Sequence, residues 1–134
     1  MNNLVNMTEG AYLAMHGLAL IAQKQPERLS VKHLAEALDA SRDHLAKVFQ
    51  KLSKAGLVTS VRGPAGGFIL NKAAEDISFL DIYEIIEGTV NLGACPLGKK
   101  MCAFHSCIFS SEFHRISEDI YHTYKKIKLS DFTA

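Results

Sequence analysis

Apolar positions recur at helical spacing through most of the chain and switch to a strand-like pattern once, near its middle. Thr8 to Ala22 is apolar around nearly its whole circumference, which predicts a helix buried at a subunit or domain contact. Thr8 stands as its N-cap, and Glu9 in the first turn suits the helix dipole. Gln25-Pro26-Glu27-Arg28 interrupts the pattern and reads as a loop. Ser30 then caps a second helix, in which Val31, Leu34, Ala35 and Leu38 form one stripe. Asp39-Ala40-Ser41 is a tight turn, with Ser41 placed to cap again. The third helix carries Leu45, Val48, Phe49 and Leu52 at i, i+3, i+4 and i+7. After Gly56 the period changes. Leu57 to Val61 and Phe68 to Leu70 have strand character, separated by Arg62-Gly63-Pro64-Ala65-Gly66-Gly67. Ser78-Phe79-Leu80-Asp81 opens a further helix with a capping-box pattern, and Ile82, Tyr83, Ile85 and Ile86 continue it to Gly88.

From about Ile108 to Lys128 the pattern is helical again, with Phe109, Phe113, Ile116, Ile120, Thr123/Tyr124 and Ile127 in alternating steps of four and three. A seam this narrow is coiled-coil-like and calls for a partner helix. No other segment is long enough to cover it, so a second copy of the chain is the economical partner.

Two short helices joined by a three-residue turn, the second basic on its free face, make a helix-turn-helix. A glycine-rich hairpin directly after it makes a winged helix. The expected fold is therefore mainly α with a small β-hairpin wing. Residues 1–75 form a winged helix-turn-helix head, whose first helix also lies at the dimer contact. Residues 76–134 supply a linker helix, a cysteine stretch at 88–107 and a long C-terminal dimerisation helix at 108–128. On the head, Arg42, Asp43, His44, Lys47 and Lys51 occupy the side opposite the apolar stripe. At the wing tip, Gly63 and Pro64 let backbone approach a phosphate, and Arg62 can enter a minor groove. Ser30 and Ser41, at the two helix starts, complete the candidate DNA-contacting set.

Charge strengthens that picture locally. The formal net charge is only +1. Yet residues 1–75 hold nine Lys/Arg against six Asp/Glu, and residues 76–134 hold six against eight. Between Arg42 and Lys72 there are six basic residues and one acid, Asp43, as a phosphate-contacting face requires. An apolar content of 48% and a charged content of 22% are ordinary for a soluble globular domain, and no apolar run reaches membrane-spanning length. The N-terminus has neither the basic region nor the cleavage site of a signal peptide, so a reducing cytoplasm is expected.

All three cysteines, Cys95, Cys102 and Cys107, lie in one stretch among Pro, Gly and Lys. Three thiols cannot pair off completely, which excludes a closed disulfide framework. Clustered thiolates suit a soft metal, either iron–sulfur or zinc, with one position left to be filled from elsewhere. Thiol-based redox sensing is the metal-free alternative. A small redox enzyme or electron carrier would leave the basic helix and the Arg62 wing without a role. There is no nucleophile–base pair, phosphate loop or paired-acid site, so the chain is not expected to be an enzyme. A module that binds a protein partner remains the fourth alternative, and tight, specific DNA binding would remove the need for it.

The order of these parts resembles the IscR/NsrR/CymR family of bacterial winged-helix regulators, also called the Rrf-two family. The resemblance covers nearly the whole chain. It is strongest over Leu45 to Val58 and over Ser60-Val61-Arg62-Gly63-Pro64-Ala65-Gly66-Gly67-Phe68, and Leu129-Ser130-Asp131-Phe132 is similar to the family's ending. It implies a cytoplasmic homodimer that binds a palindromic double-stranded DNA operator through two such heads. In the family's iron–sulfur members three cysteines lie in the loop before the long helix, which implies a 4Fe–4S or 2Fe–2S cluster on Cys95, Cys102 and Cys107, sensing redox state, nitric oxide or iron–sulfur status; other members lack the cluster or use cysteines for sulfur-metabolism or redox signalling. Here six and then four residues intervene between these cysteines, where the commonest cluster pattern has two intervals of five. By the same resemblance the first candidate for the remaining ligand is Glu9 of the partner subunit, where the nitric-oxide-sensing members carry a carboxylate. His105 is the second. The third helix carries Ala46-Lys47 where iron–sulfur members often have Glu-Gln, so the operator sequence does not transfer.

Overall fold

The computed structural model describes residues 4–93, 95, 99 and 101–133. Ala94, Pro96, Leu97, Gly98 and Lys100 of the cysteine stretch lie outside the described residues. In chain order the elements are α1 (Glu9–Lys24), α2 (Val31–Leu38), α3 (Arg42–Lys54), β1 (Val58–Val61) and β2 (Gly67–Leu70). A 3₁₀ turn (Ala74–Asp76), α4 (Phe79–Glu87), α5 (Ser110–Lys126) and a closing turn (Leu129–Phe132) follow. The first four helices start where the sequence provides an oxygen for orphan backbone amides. Thr8 accepts from the amide of Ala11, Ser30 from that of His33 and Ser41 from that of His44. Ser78 and Asp81 bond each other's backbone amides at 3.0 Å, a complete capping box. Among the described residues no helix is long and apolar enough to cross a membrane.

Much of the apolar circumference of α1, expected at a subunit or domain contact, is covered by the same chain, while Tyr12 is exposed. The helix packs against α2, α3, α4, β2 and the closing turn, with Leu13, Leu18 and Ile21 all but inaccessible. The tightest approach is to α3. A Cβ at Gly17 would stand 2.9 Å from two ring carbons of Phe49, so the ring sits in a notch that only glycine leaves open. Phe49 is fully buried and is backed by Phe68 of β2, with ring centroids 4.8 Å apart.

The hairpin pairs β1 and β2 antiparallel, from Val58 opposite Leu70 to Val61 opposite Gly67. Its base is tied to the head by Phe68, whose amide donates to the Leu29 carbonyl at 2.8 Å. Gly67 is required there, because a Cβ would lie 2.7 Å from the Leu29 carbonyl group. Its tip turns through Gly63-Pro64-Ala65-Gly66, closed by the Gly66 amide on the Gly63 carbonyl at 2.9 Å.

The chain's end returns to the head. The Phe79 amide donates to the Ile127 carbonyl and the Leu129 amide to the Ile77 carbonyl, at 2.9 and 3.0 Å. Ile77, Ile82 and Leu129 are fully buried in the core that α1 and α3 build. The last turns of α5 are therefore covered by α4, where Tyr83 and Tyr124 meet with ring centroids 5.8 Å apart. Burial, and then the neighbouring Tyr83, push the Tyr124 phenol above its ordinary range, so it stays neutral at physiological pH. At the start of α5 the cap residue Phe109, Phe113 and Ile116 are 37%, 40% and 48% exposed.

Gly17→Ala tests the notch. A helix interior gains about 1 kcal/mol from this change, whereas an extra methyl in a filled core costs about 1–3 kcal/mol. Denaturant titration should show a net loss of stability on the order of 1 kcal/mol; a net gain would mean that Phe49 is not held there.

Candidate nucleic-acid interface and cysteine site

Because α3 buries Leu45, Val48, Phe49 and Leu52 against the head, the positions directly opposite them face solvent. At 100° per residue these are Asp43, Lys47, Gln50 and Lys54. All four are exposed, as are Arg42 and Ala46 on one flank. Of the sequence-derived candidates, Asp43 and Lys47 lie on this outward line, and Arg42 lies on one flank, about 110° from its centre. Lys51 and His44 lie on the other flank, about 70° and 90° away. There His44 Nδ1 is 3.5 Å from Glu9 Oε1, and Lys51 Nζ is 3.5 Å from the carbonyl oxygen of Ile86 in α4. Gln50 and Lys54 are absent from the sequence-derived set. Their three- and seven-residue steps from Lys47, in antiphase with the apolar stripe, were the available signal.

The two serines are engaged locally. Ser30 Oγ also lies 3.0 Å from His33 Nδ1, and the Ser41 hydroxyl caps α3. Capping gives α3 a fixed first turn, so the positions of Arg42 and Asp43 follow from it. At the wing, Arg62, Gly63, Pro64 and Ala65 are all exposed. The region thus presents a basic helix line and a glycine–proline tip carrying one guanidinium, which suits a polyanion with a groove.

Between α4 and α5 the described residues form no helix or strand, and Cys95, Cys102 and Cys107 are all exposed there. His105 is exposed in the same stretch. No group of three or more His, Cys, Asp or Glu side chains converges among the described residues. The donor chemistry of three accessible thiols on irregular backbone fits a soft metal centre. Glu9, at the start of α1, has a side chain that is 69% exposed despite its contact with His44.

Residues 7–134 match the model of the Rrf2 family, described as an iron-dependent transcriptional regulator. The chain is 41% identical over 86 residues to the HTH-type transcriptional regulator IscR of Cereibacter sphaeroides. That match covers 63% of this chain and 56% of the relative, so the chain spans little more than half of that regulator's length. Among solved structures, CymR, the global cysteine regulator of B. subtilis, superposes with a TM-score of 0.81 at 21% identity, covering 97% of each chain. IscR of T. potens superposes with a TM-score of 0.77 at 27% identity, covering 96% of this chain and 85% of the other. The first of these likenesses speaks for the fold alone. All of these relatives are regulators rather than enzymes.

The interface predicts separate effects for its two parts. Lys47→Ala and Arg62→Ala should each weaken duplex binding. A lost phosphate contact reduces the salt slope by about one unit, and a lost base contact relaxes preference at one base pair by roughly 1–3 kcal/mol. Binding isotherms at several salt concentrations distinguish the two, and unchanged affinity in both variants would remove this face as the reader.

Proposed function

The chain belongs to the Rrf2 family of transcriptional regulators, and from that premise we propose that it is a homodimeric DNA-binding regulator whose operator affinity is set by an iron–sulfur cluster. Cys95, Cys102 and Cys107 would hold the cluster, with Glu9 of the second subunit as the first candidate for the remaining position and His105 as the second. The observation that carries the reading is the placement of three exposed cysteines on irregular backbone directly after α4, a helix packed against both α1 and α3. When bound, such a cluster supplies a redox- and nitric-oxide-responsive centre. The protein's own part is mechanical. The wing and the outward line of α3 contact the operator, α4 joins the head to the cysteine stretch, and α5 sets the distance between two heads. A palindromic operator is the natural counterpart of two heads related by a twofold axis.

The dimer is supported by the exposed start of α5, where Phe109, Phe113 and Ile116 recur at i, i+4 and i+7. A second reading draws on the lack of a converged three-donor group among the described residues. In it the cysteines sense oxidants as thiols or take up zinc, and the DNA-binding part is unchanged.

Anaerobic reconstitution with iron and sulfide decides between the two. The cluster reading expects visible absorbance and bound iron in the wild type, and loss of both in Cys95→Ala, Cys102→Ala and Cys107→Ala. Glu9→Ala should retain a more labile cluster. Uptake of one zinc without iron would establish the second reading instead. For the dimer, Phe113→Asp with Ile116→Asp places charge where a partner helix would bury it, at several kcal/mol per unpaired ion. Both residues are close to half exposed in the isolated chain, so sedimentation should give a folded monomer. A native-sized dimer from that variant would overturn the assignment of α5.

A further inference from the structure

His44 and Lys51 share one flank of α3, and both end at one junction. There the start of α1, the flank of α3 and the end of α4 come together. The Thr8 hydroxyl donates to Glu87 Oε1 at 2.6 Å, which ties the cap of α1 to the last residue of α4. His44 reaches Glu9 in the first turn of α1, and Lys51 reaches the carbonyl of Ile86 in the last turn of α4. That carbonyl belongs to the helix end where intrahelical partners run out and the dipole is negative, so an ammonium is favoured there. Gly10 closes the junction: a Cβ on it would stand 3.2 Å from Ile86 Cγ2 and 4.0 Å from His44 Nε2. Beyond the helix, Glu84 Oε2 accepts from the Val90 amide at 2.8 Å, which fixes the first residues of the stretch that leads to Cys95.

Each contact alone is exposed and weak, and those of His44 and Lys51 are long for their type. Their joint effect lies in where they converge. Three elements that otherwise meet through apolar packing are held in register at one polar point, immediately before the cysteine stretch begins. We infer that His44 and Lys51 are positioning residues rather than DNA readers: they fasten the recognition helix to the first turn of α1 and the last turn of α4, so that a change in the cysteine stretch is passed to α3. The inference rests on the proposed reading of the chain as a DNA-binding regulator with its signal at the cysteines. Glu9, the first candidate for a ligand across the dimer, belongs to the same junction, so both sides of the signalling site reach α3 through one flank.

The test uses the full chain with Lys51→Met, Lys51→Arg and a His44→Leu/Lys51→Met double variant, and it has one readout without DNA and two with it. In amide hydrogen exchange, the double variant should exchange faster at Gly88 and Val90 while Leu52 stays as protected as in the wild type. Lys51→Arg, which can still reach the Ile86 carbonyl, should behave as the wild type. For the DNA readouts, a duplex is selected from a random pool by the wild type and titrated against salt. Lys51→Met should leave the salt slope unchanged, whereas loss of a phosphate contact would lower it by about one unit. The same duplex is then titrated before and after alkylation of the cysteines with iodoacetamide. The wild type should change affinity by roughly 2- to 30-fold, the range of coupling carried by such networks, and the double variant should not respond. A drop of one unit in the slope of Lys51→Met makes Lys51 a phosphate contact and overturns the inference. Duplex binding with unaltered exchange and an undiminished response to alkylation in the double variant overturns it alone, whereas a wild type that binds no duplex overturns the regulator reading as well.

Discussion

The seating of Phe49 over Gly17 is the contact on which the rest of the head depends. It sets how closely α3 lies on α1, and hence which residues of α3 are left facing outward. With the ring locked between α1 and Phe68 of the hairpin, helix and wing share one anchor. The basic line of α3 and the Arg62 tip are therefore parts of one rigid surface, not two independently placed elements. The Phe68 amide on the Leu29 carbonyl extends the same anchoring to the loop before α2. A surface read by a stiff duplex needs this kind of support, because its phosphate and base contacts count only if they are met together.

The second half of the chain is built onto that head rather than beside it. Leu129 and Ile77 exchange a backbone hydrogen bond and are both fully buried, so the two ends of the segment that carries α4 and α5 are fixed to the same core. Between them the cysteine stretch leaves α4 and enters α5 without helix or strand among the described residues. Irregular backbone held at both ends is a reasonable seat for a chemical signal. The ends of that stretch bear on elements that contact α3 and on the exposed row at the start of α5.

Much of this was legible because it is local. The caps at Thr8, Ser30, Ser41 and Ser78 each lie within three residues of the amide they satisfy, so the sequence alone identifies them. The hairpin was equally readable, since glycine and proline at its tip and the β-rich runs on either side permit few other structures. What was not legible depends on partners far along the chain. The apolar circumference of α1 has the same pattern whether its cover comes from another subunit or from α3, α4 and the closing turn. His44 and Lys51 look like neighbours of Lys47 on a basic face, and nothing local announces their contacts with Glu9 of α1 and Ile86 of α4. The covering of Tyr124 by Tyr83 likewise joins residues about forty positions apart, and no periodicity in α5 announces it. The arrangement of the three thiols follows no local rule at all.

In the proposed function the state of the cysteine site sets how tightly the head holds DNA. One preparation of the protein, reconstituted anaerobically with iron and sulfide, should be titrated with its selected duplex and titrated again after the metal is removed by a chelator, at one salt concentration. The two dissociation constants should differ by about 5- to 150-fold, the usual span of coupling between two sites. Equal affinity of the two forms, in a protein that demonstrably holds and loses its iron, would contradict the proposed function.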